Sequence, residues 1–463
     1  GAYVKEPTPG VYDWVVSFDL NSLYPHLIMQ YNISPETLLD EKFPGVNVDK
    51  LLKKEVDLSS LEDVTVCPNG AQFTTKKRGF LPVLMERIYN ERVIFKKKML
   101  EAKKEYEKKK TKALEREIAR CNNIQMAKKI QLNSAYGAIG NNYFRYYKLD
   151  NAEAITLGGQ LSIRWIEAKM NSYINNVLKT NNVDYVVASD TDSIYLNLGP
   201  LVERVYKGRE KTTEDIVSFL DKICQMEFEK YIESSYKELA EYVNAYEQKM
   251  FMKRETIADR GIWTAKKRYI LNAWDVEGVR YSEPKLKIMG IEAVKSSTPA
   301  PCRSMIKDAL KIMMSETEDD VINFIEKSRA QFKKLPPSEI AFPRTVSDVD
   351  KYKSNLSIYA KGCPIHARGA LLYNHHIKNK KLGEKYNVIN NGEKIKFILL
   401  KKPNPIHENV ISFINDFPVE LGLLPYVDYD TQFDKAFLEP LRAILDSIGW
   451  SVEKTATLAS FFS

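Results

Sequence analysis

The pattern of apolar and polar positions divides the first half of the chain into strand-like and helix-like stretches. An apolar run over residues 14–18 predicts a buried strand that ends in Asp19, and residues 22–31 predict a turn and a short helix. Helical periodicity continues from about 82 to 109 and from about 111 to 135, which predicts a long antiparallel hairpin of two helices. A third helix is predicted over about 154–178.

The second half begins with β-type patterns and then becomes helical. Two β-rich arms flank a polar centre over residues 185–196, as expected for a β-hairpin with acids at its turn. Helices are predicted over most of 213–246, followed by strands around 268–274 and 280–289. After Gly290 helices alternate with Pro- and Asn-rich loops, and we place a domain boundary there. A length of 463 residues fits two to four domains or subdomains.

Composition and charge narrow the class of protein only slightly. A hydrophobic content of 44% excludes a wholly disordered chain. The net charge of +8 favours a polyanionic partner without specifying one. Residues 96–129 hold thirteen Lys/Arg and five Glu, a local charge of +8. Alone, such a run is typical of a solvated helical hairpin with Glu/Lys pairs.

Cysteine usage and hydropathy indicate the compartment. The five cysteines are odd in number, scattered and without a CxxC pair, which argues against a disulfide framework or a zinc site. No apolar run reaches membrane-spanning length and no signal peptide opens the chain. We therefore expect a soluble protein in a reducing compartment.

Three aspartates are candidates for binding divalent metal ions. Asp19 follows the first buried strand, and Asp190 and Asp192 lie two residues apart at the hairpin turn. Strand periodicity would put both hairpin acids on one face, where a cation could bridge them to Asp19. Carboxylates suit Mg²⁺, and two such ions suit nucleotidyl transfer. An Asp at a turn also commonly bonds its own backbone, so the spacing leaves a structural role, a nuclease, an RNA polymerase and a DNA polymerase open.

The predicted helix that ends near residue 135 has a polar face suited to a nucleotide. Positions i, i+4, i+7 and i+8 of this face are Lys129, Asn133, Tyr136 and Gly137. On the preceding helix Arg92 and Lys96 stand at i and i+4 and offer a second pair of cations for a triphosphate. The spacing alone is equally typical of a solvated amphipathic surface.

Five segments, in this order, resemble the motifs of family B DNA polymerases, particularly the replicative enzymes of T-even-type bacteriophages. They are Asp19–Pro25 (DLNSLYP), Lys129–Gly137 (KIQLNSAYG), Asp190–Ser193 (DTDS), Trp263–Tyr269 (WTAKKRY), and Lys287–Glu292 (KIMGIE) followed by Lys295–Pro299 (KSSTP). Each motif is moderately specific, whereas their shared order over nearly the whole chain is very specific.

The resemblance implies an α+β fold shaped like a right hand. The palm, with an antiparallel sheet, would comprise residues 1–78 and 142–290. The two-helix fingers would comprise 79–141, and a mostly helical thumb 291–463. The implied reaction adds dNTPs to a primer 3′-OH on a template, with two Mg²⁺ ions for which Mn²⁺ can substitute, in the cytoplasm of a bacterial host.

The resemblance also implies individual roles. Asp19 and Asp192 would hold both metals with the backbone carbonyl of Leu20, Asp190 would support them, and Lys129 would also protonate pyrophosphate. The implied nucleotide-binding set is Leu20, Ser22, Leu23, Tyr24, Arg92, Lys96, Lys129, Asn133 and Tyr136. In this set Tyr24 would exclude a 2′-hydroxyl and Tyr136 would line the base-pair pocket.

Further implied contacts concern primer–template DNA and a protein partner. The implied DNA-binding residues are Lys266, Lys267, Arg268 and Tyr269, which would follow the minor groove and backbone by shape. Glu255 is a further candidate acid near the metals. At the end of the chain Leu458, Phe461 and Phe462 have the spacing of a sliding-clamp-binding tail, although Thr455 replaces the usual Gln. A terminal helix packed on the thumb is the alternative.

The sequence departs from the family pattern in three respects. His26 follows Pro25 where a small polar residue is usual, and Ala188-Ser189 replaces the common Tyr-Gly before DTDS. The chain opens on a segment that resembles the linker after the family's 3′→5′ exonuclease domain. We therefore expect proofreading to be missing or supplied by a separate chain. The alternative functions are a non-catalytic nucleic-acid-binding remnant of the fold and an RNA-templated palm polymerase.

Overall fold

The computed structural model describes residues 1–453. These residues form two compact units. The first contains residues 1–267 and 271–287, and the second contains 268–270 and the described residues from Ile288 onward.

A six-stranded sheet organises the first unit. The strands up to residue 289 are, in chain order, β1 (Gly10–Leu20), β2 (Val64–Val66), β3 (Gln72–Thr74), β4 (Val186–Asp190), β5 (Ser193–Asn197), β6 (Met252–Ala265), β7 (Arg268–Val276) and β8 (Val279–Met289). The six-stranded sheet has the order β4-β5-β1-β6-β7-β8, while β2 and β3 form a separate antiparallel pair. β1 runs antiparallel to both β5 and β6, and β4 runs antiparallel to β5. The α+β class with antiparallel strands is therefore confirmed.

The helices of the first unit pack on this sheet or extend from it. They are α1 (Leu23–Gln30), α2 (Val48–Leu52), α3 (Phe80–Lys108), α4 (Lys112–Ile139), α5 (Leu149–Leu178), α6 (Gly199–Tyr206), α7 (Thr213–Ile223) and α8 (Glu229–Tyr242). α3 and α4 pack against each other as the predicted hairpin. Thr111 begins α4 because its side chain accepts a hydrogen bond from the Leu114 amide. A π-helical turn over Cys224–Phe228 joins α7 to α8.

The core of the first unit lies around β1, α1 and α5. Val16 and Phe18 of β1, Leu27 of α1, and Ile155 and Ile166 of α5 are completely buried in one cluster. Burying aliphatic and aromatic side chains of this size stabilises the fold by about 1.5–3 kcal/mol each. β1 is thus held on both edges and on one face, which fixes the position of the acid near its end.

The second unit combines helices with a small sheet. Its helices are α9 (Ala300–Ser315), α10 (Glu318–Phe332), α11 (Pro337–Ile340), α12 (Ile365–Asn379), α13 (Tyr429–Phe433) and α14 (Glu439–Asp446). Three antiparallel strands, β9 (Phe342–Thr345), β10 (Lys394–Leu399) and β11 (Val410–Phe413), are ordered β11-β10-β9. The sequence pattern did not predict this sheet, because its strands are only four to six residues long and β9 lies far from β10 in the chain.

The sequence pattern also missed the 14-residue strand β6. Its start, Lys253-Arg254-Glu255, shows no alternation of apolar and polar residues. The reason is that Arg254 occupies an inward position, where its side chain is 3% exposed and pairs with Asp221 and Asp275. Across the described part of the chain, no helix combines the length and apolar character needed to cross a bilayer.

Candidate active site

A cavity of about 280 Å³ in the first unit collects the residues predicted for metal and nucleotide binding. Its lining includes Asp19, Leu20, Ser22, Leu23, Tyr24, Arg92, Lys96, Lys129, Asn133, Tyr136 and Asp192. The end of β1, the start of α1, the helices α3 and α4, and the β4–β5 turn all contribute to it. Residues far apart in the sequence therefore share one concave surface.

Backbone hydrogen bonds hold the two acids of this cavity together. In the antiparallel pairing of β1 with β5, Asp19 lies opposite Ser193. The amide of Leu20 donates to the carbonyl of Asp192 at 2.8 Å. Thr191 takes a left-handed conformation, with φ of 58°, in the tight turn between β4 and β5. The turn therefore places Asp192 beside the end of β1.

The expectation that Asp190 and Asp192 share one strand face was wrong. β4 ends at Asp190 and β5 begins at Ser193, so Asp192 lies in the turn, where strand alternation does not apply. The carboxylate of Asp190 accepts both hydrogen bonds from Lys267 Nζ, at 2.7 and 2.9 Å. Asp192 lines the cavity, whereas Asp190 is engaged by a lysine.

The electrostatics of the two cavity acids favour a bound cation. Burial, together with the charges of Asp192 and Glu255, raises the pKa of Asp19 to about 8. Burial also raises the pKa of Asp192 to about 6, with Lys129 opposing the shift and Asp190 and Glu255 adding to it. Ionising either acid is therefore unfavourable, because its carboxylate is buried away from solvent and is repelled by nearby acids. A bound divalent cation would offset both effects.

The oxygen donors at this position fit a hard divalent ion. Residues 1–453 contain no group of three or more His, Cys, Asp or Glu side chains arranged to hold a metal. The third nearby acid, Glu255, is paired with Lys287 Nζ at 2.9 Å and accepts a hydrogen bond from Ser17 at 3.4 Å. Asp19 and Asp192 are thus the candidate side-chain donors, and a pair of carboxylates would suit Mg²⁺ because that ion normally retains water and binds substrate phosphates.

The cationic wall of the cavity is held in place by polar contacts. Arg92 donates from Nη1 to the Ser22 hydroxyl at 2.8 Å and from Nε to Gln125 Oε1 at 3.3 Å. Lys96 forms an ion pair with Glu277. Ser22 thus lines the cavity as the hydrogen-bond acceptor that holds the guanidinium of Arg92.

Lys129 and Asn133 complete this wall from α4. Both side chains are exposed and stand one helical turn apart, as predicted from their i, i+4 spacing. Lys129 is close enough to Asp192 for its charge to oppose the rise in the pKa of that acid. These two side chains are accessible to an anionic ligand.

An aromatic pair and a glycine form another side of the cavity. The rings of Tyr24 on α1 and Tyr136 on α4 have centroids 4.7 Å apart. On α5, a methyl group added to Gly159 would lie 3.2 Å from Cε1 of Tyr24. The Tyr24 ring is therefore confined by two helices, and Gly159 is a contact that sequence reasoning did not identify.

The four residues predicted to contact DNA are all engaged within the protein. Lys266 pairs with Glu6 at 3.0 Å and Lys267 with Asp190 at 2.7 Å. Arg268 donates to both carboxylate oxygens of Glu292, at 3.0 and 2.9 Å, and to the carbonyl of Gly290. Tyr269 is buried, with 6% of its surface exposed. The side chains of Lys266 and Lys267 are still 49% and 59% exposed and are accessible to DNA, whereas Tyr269 would have to be uncovered to reach it.

His26 makes contacts that the sequence pattern did not predict. Its Nδ1 donates to the carbonyl of Ser22 at 3.0 Å, and its ring meets Tyr89 of α3 edge-on at 4.3 Å. Burial lowers the pKa of His26 to about 4, so the ring is neutral at pH 7. This histidine packs the start of α1 against α3 directly beside the cavity.

Comparison with known proteins identifies the family. The family model "DNA polymerase family B" matches residues 1–448. The chain belongs to DNA polymerase family B. This result confirms the resemblance drawn from the five ordered motifs.

Named members of family B are longer than this chain, which aligns with about half of each. It is 34% identical to a DNA-directed DNA polymerase of Escherichia phage RB69, with 100% of the chain and 56% of the phage protein aligned. It is 32% identical to the enzyme of the same name from Enterobacteria phage T4, covering 57% of it. A DNA polymerase of Thermococcus gorgonarius is 24% identical over 98% of the chain and 48% of the relative. The chain thus spans somewhat more than half the length of the phage family B proteins.

Proposed function

We propose that this family B chain is the polymerase portion of a DNA-directed DNA polymerase, which adds dNTPs to a primer 3′-OH on a template. The single observation that supports this most is the composition of the 280 Å³ cavity. It combines two repelling acids, a wall of cationic and amide side chains, and a confined tyrosine pair. These are the groups that a metal-bound deoxynucleoside triphosphate requires.

Asp19 and Asp192, with the backbone carbonyl of Leu20, would hold two Mg²⁺ ions, for which Mn²⁺ can substitute. When bound, such ions lower the pKa of the attacking primer hydroxyl and neutralise charge on the leaving pyrophosphate. Their fit rests on the burial and mutual repulsion of the two acids. Asp190 would support the metal site indirectly, because it begins the turn that positions Asp192 and its negative charge acts on that acid.

The other cavity residues would bind and orient the nucleotide. Arg92, Lys96, Lys129 and Asn133 would neutralise and hydrogen-bond the triphosphate, while Ser22 and Leu23 shape the wall beneath it. Lys129 would also donate a proton to pyrophosphate as it leaves. Tyr24 would exclude a 2′-hydroxyl and Tyr136 would lie against the nascent base pair.

We also propose the right-hand division, with palm residues 1–78 and 142–290, fingers 79–141 and thumb 291–463. The α3–α4 hairpin, Phe80–Ile139, supports the limits of the fingers. The second compact unit, which continues from Ile288, supports the limit of the thumb. Lys266 and Lys267 would contact primer–template DNA through their half-exposed side chains. Arg268 would do so after releasing Glu292, and Tyr269 after being uncovered.

Two protein partners stay predictions. The residues proposed to bind a sliding clamp, Leu458, Phe461 and Phe462, lie outside the described residues. A separate chain that supplies proofreading is the second predicted partner.

Primer extension with Mg²⁺ and dNTPs tests the proposed function. The wild type should extend a DNA primer on a DNA template, and Asp192→Asn should lose at least about 100-fold in rate. Asp49→Asn is the control, because Asp49 pairs with Arg164 at the surface and lies outside the cavity. An unchanged rate in Asp192→Asn would exclude the assigned chemistry.

The same assay separates the alternative functions. A non-catalytic binding remnant would bind DNA in a salt-dependent way without extending the primer. An RNA-templated enzyme would extend the same primer faster on an RNA template than on a DNA template.

A further inference from the structure

The turn between β7 and β8 places an acid against one of the cations of the cavity. Glu277 lies in this turn and forms an ion pair with Lys96 of α3. Lys96 is also part of the cavity lining, whereas Glu277 is not. The ammonium group that would bind a triphosphate is therefore already occupied by a carboxylate of the same chain.

The backbone around Glu277 is held in a defined conformation. Glu277 has a φ of 50°, in the left-handed region that side-chain-bearing residues rarely adopt. Its amide donates to the carbonyl of Glu255 at 2.6 Å, and the amide of Gly278 donates to Asp275 Oδ1 at 3.0 Å. Stabilising contacts must offset the unfavourable conformation at Glu277.

A buried ion-pair network supplies those contacts. The side chain of Asp275 is 2% exposed and pairs with Arg254 and, at 2.9 Å, with Arg280. Arg254 also pairs with Asp221 at 2.6 Å. Because the network fixes the turn, the carboxylate of Glu277 is presented to Lys96 from a rigid support.

The remaining contacts between α3 and this hairpin are polar. Lys285 of β8 pairs with Glu107 of α3 at 2.9 Å. A cavity of about 440 Å³ lies between the two elements and is lined by residues such as Lys104 and Gly278. Ion pairs around a cavity can exchange partners more readily than a packed apolar contact can separate. The pairing of Lys96 with Glu277 is therefore one that an incoming anion can replace.

We propose that Glu277 sets the affinity of the cavity for nucleotide by competing with the triphosphate for Lys96. This inference rests on the proposed function, since it takes the ligand to be a deoxynucleoside triphosphate. The triphosphate must displace the carboxylate before Lys96 can bind it, so part of the binding free energy is used to break the ion pair. Glu277 is a positioning residue that touches the cation and not the reacting atoms.

The substitution Glu277→Gln tests the competition. In single-nucleotide incorporation at varied dNTP concentration, Kd for dNTP should fall about two- to fivefold, the range expected for breaking an ion pair whose side chains are 29% and 31% exposed. The maximum rate of incorporation should stay the same, because Glu277 does not contact the reacting groups. An unchanged or higher Kd would overturn the proposal.

Two further variants provide the controls. Glu107→Gln removes the other ion pair between α3 and the same hairpin but lies outside the active-site cavity, so its Kd for dNTP should equal that of the wild type. Lys96→Gln should have the same Kd with or without Glu277→Gln, because the carboxylate acts through this lysine. A gain in affinity that persists in the double variant would contradict the competition.

A binding measurement without turnover keeps the inference separate from the proposed function. Titration calorimetry with inorganic tripolyphosphate on the full chain, without DNA, should show tighter binding to Glu277→Gln than to the wild type. If the wild type fails to extend a primer but this difference is present, the proposed function fails and the competition stands. If the wild type extends a primer and neither measurement differs between the two proteins, only the competition fails.

Discussion

Gly159 and Tyr24 are in such close contact that a methyl group on the glycine would lie 3.2 Å from Cε1 of the tyrosine ring. The same ring also packs against Tyr136, at a centroid separation of 4.7 Å and an interplanar angle of 55°. α5 and α4 thus confine a side chain of α1 between them. A bulky ring that cannot retreat is a physical basis for rejecting a sugar with an additional hydroxyl.

Removing the ring tests this directly. Tyr24→Ala removes the ring from the cavity, and if Tyr24 acts as proposed, incorporation of ribonucleotides relative to deoxyribonucleotides should rise at least about tenfold. Tyr24→Phe keeps the ring and should discriminate like the wild type. Ratios of kcat/KM for the paired nucleotides in primer extension provide the measurement, and equal ratios in all three proteins would remove Tyr24 from the selection of sugars.

The contact between Gly159 and Tyr24 leads to a second prediction, for which the neighbouring Gly158 provides a control. Gly159→Ala adds a methyl group at 3.2 Å from Tyr24 and 3.3 Å from Leu23, so the ring must move into the cavity. We expect KM for dNTP to rise about threefold, because a displacement of a few tenths of an ångström costs less than the roughly 100-fold loss from a misplacement of about one ångström.

Gly158→Ala is the control for that prediction. Its added methyl group would meet Leu27 at 3.5 Å and Tyr31 at 3.6 Å, which are ordinary contacts away from the cavity. Both substitutions gain a similar helix propensity of about 1 kcal/mol, so a difference between their KM values isolates the contact with Tyr24. Identical KM values would show that the ring tolerates the displacement.

His26 predicts a pH dependence of stability. Burial lowers the pKa of this histidine from 6.5 to about 4 in the folded protein. Between these values the unfolded chain binds a proton that the folded chain does not, so the free energy of unfolding falls as pH decreases from about 6.5 to 4. Over this window the loss should approach about 3 kcal/mol.

The variant His26→Asn tests this pH dependence of stability, because the asparagine side-chain amide can still donate to the Ser22 carbonyl but does not titrate. Urea unfolding at pH 7 and at pH 4.5 should show a smaller loss of stability in this variant than in the wild type. If both proteins lose the same free energy over that interval, His26 is not the group responsible.

Sequence reasoning succeeded where local patterns carry the information. The helical hairpin α3–α4 follows from two long periodic stretches, and residues one turn apart on those helices, such as Lys129 and Asn133, face the cavity together. The motif order placed Asp19 and Asp192 in one site, and the structure brings both to one cavity. Whether they perform the proposed chemistry stays a prediction.

The sequence pattern was insufficient where a long-range contact or a tight turn decides the structure. Arg254 is an inward residue of β6 only because Asp221 and Asp275 neutralise it, and the chain gives no local sign of that pairing. Asp190 separates from Asp192 because the turn at Thr191 interrupts the strand, which alternation cannot anticipate. In the first case the partners lie on other elements, and in the second a tight turn ends the strand, so periodicity within one segment carries no information about either.

The Arg254–Asp275 pair leads to the last prediction, on stability. Both side chains are almost completely buried, at 3% and 2% exposure, so removing the carboxylate of Asp275 leaves the guanidinium of Arg254 out of water and without that partner. Asp275→Asn should therefore lower the free energy of unfolding by about 3 kcal/mol, towards the lower end for a broken buried pair because Asp221 still contacts Arg254.

Asp49→Asn is the control for this stability measurement. It removes an exposed partner of Arg164 and should cost no more than about 1 kcal/mol. Urea unfolding at pH 7 measures both variants, and a cost for Asp275→Asn as small as that of Asp49→Asn would show that the network does not stabilise β6. Since Asp275 also holds the turn that carries Glu277, the same variant should weaken the pairing of Glu277 with Lys96 and lower Kd for dNTP, as Glu277→Gln does.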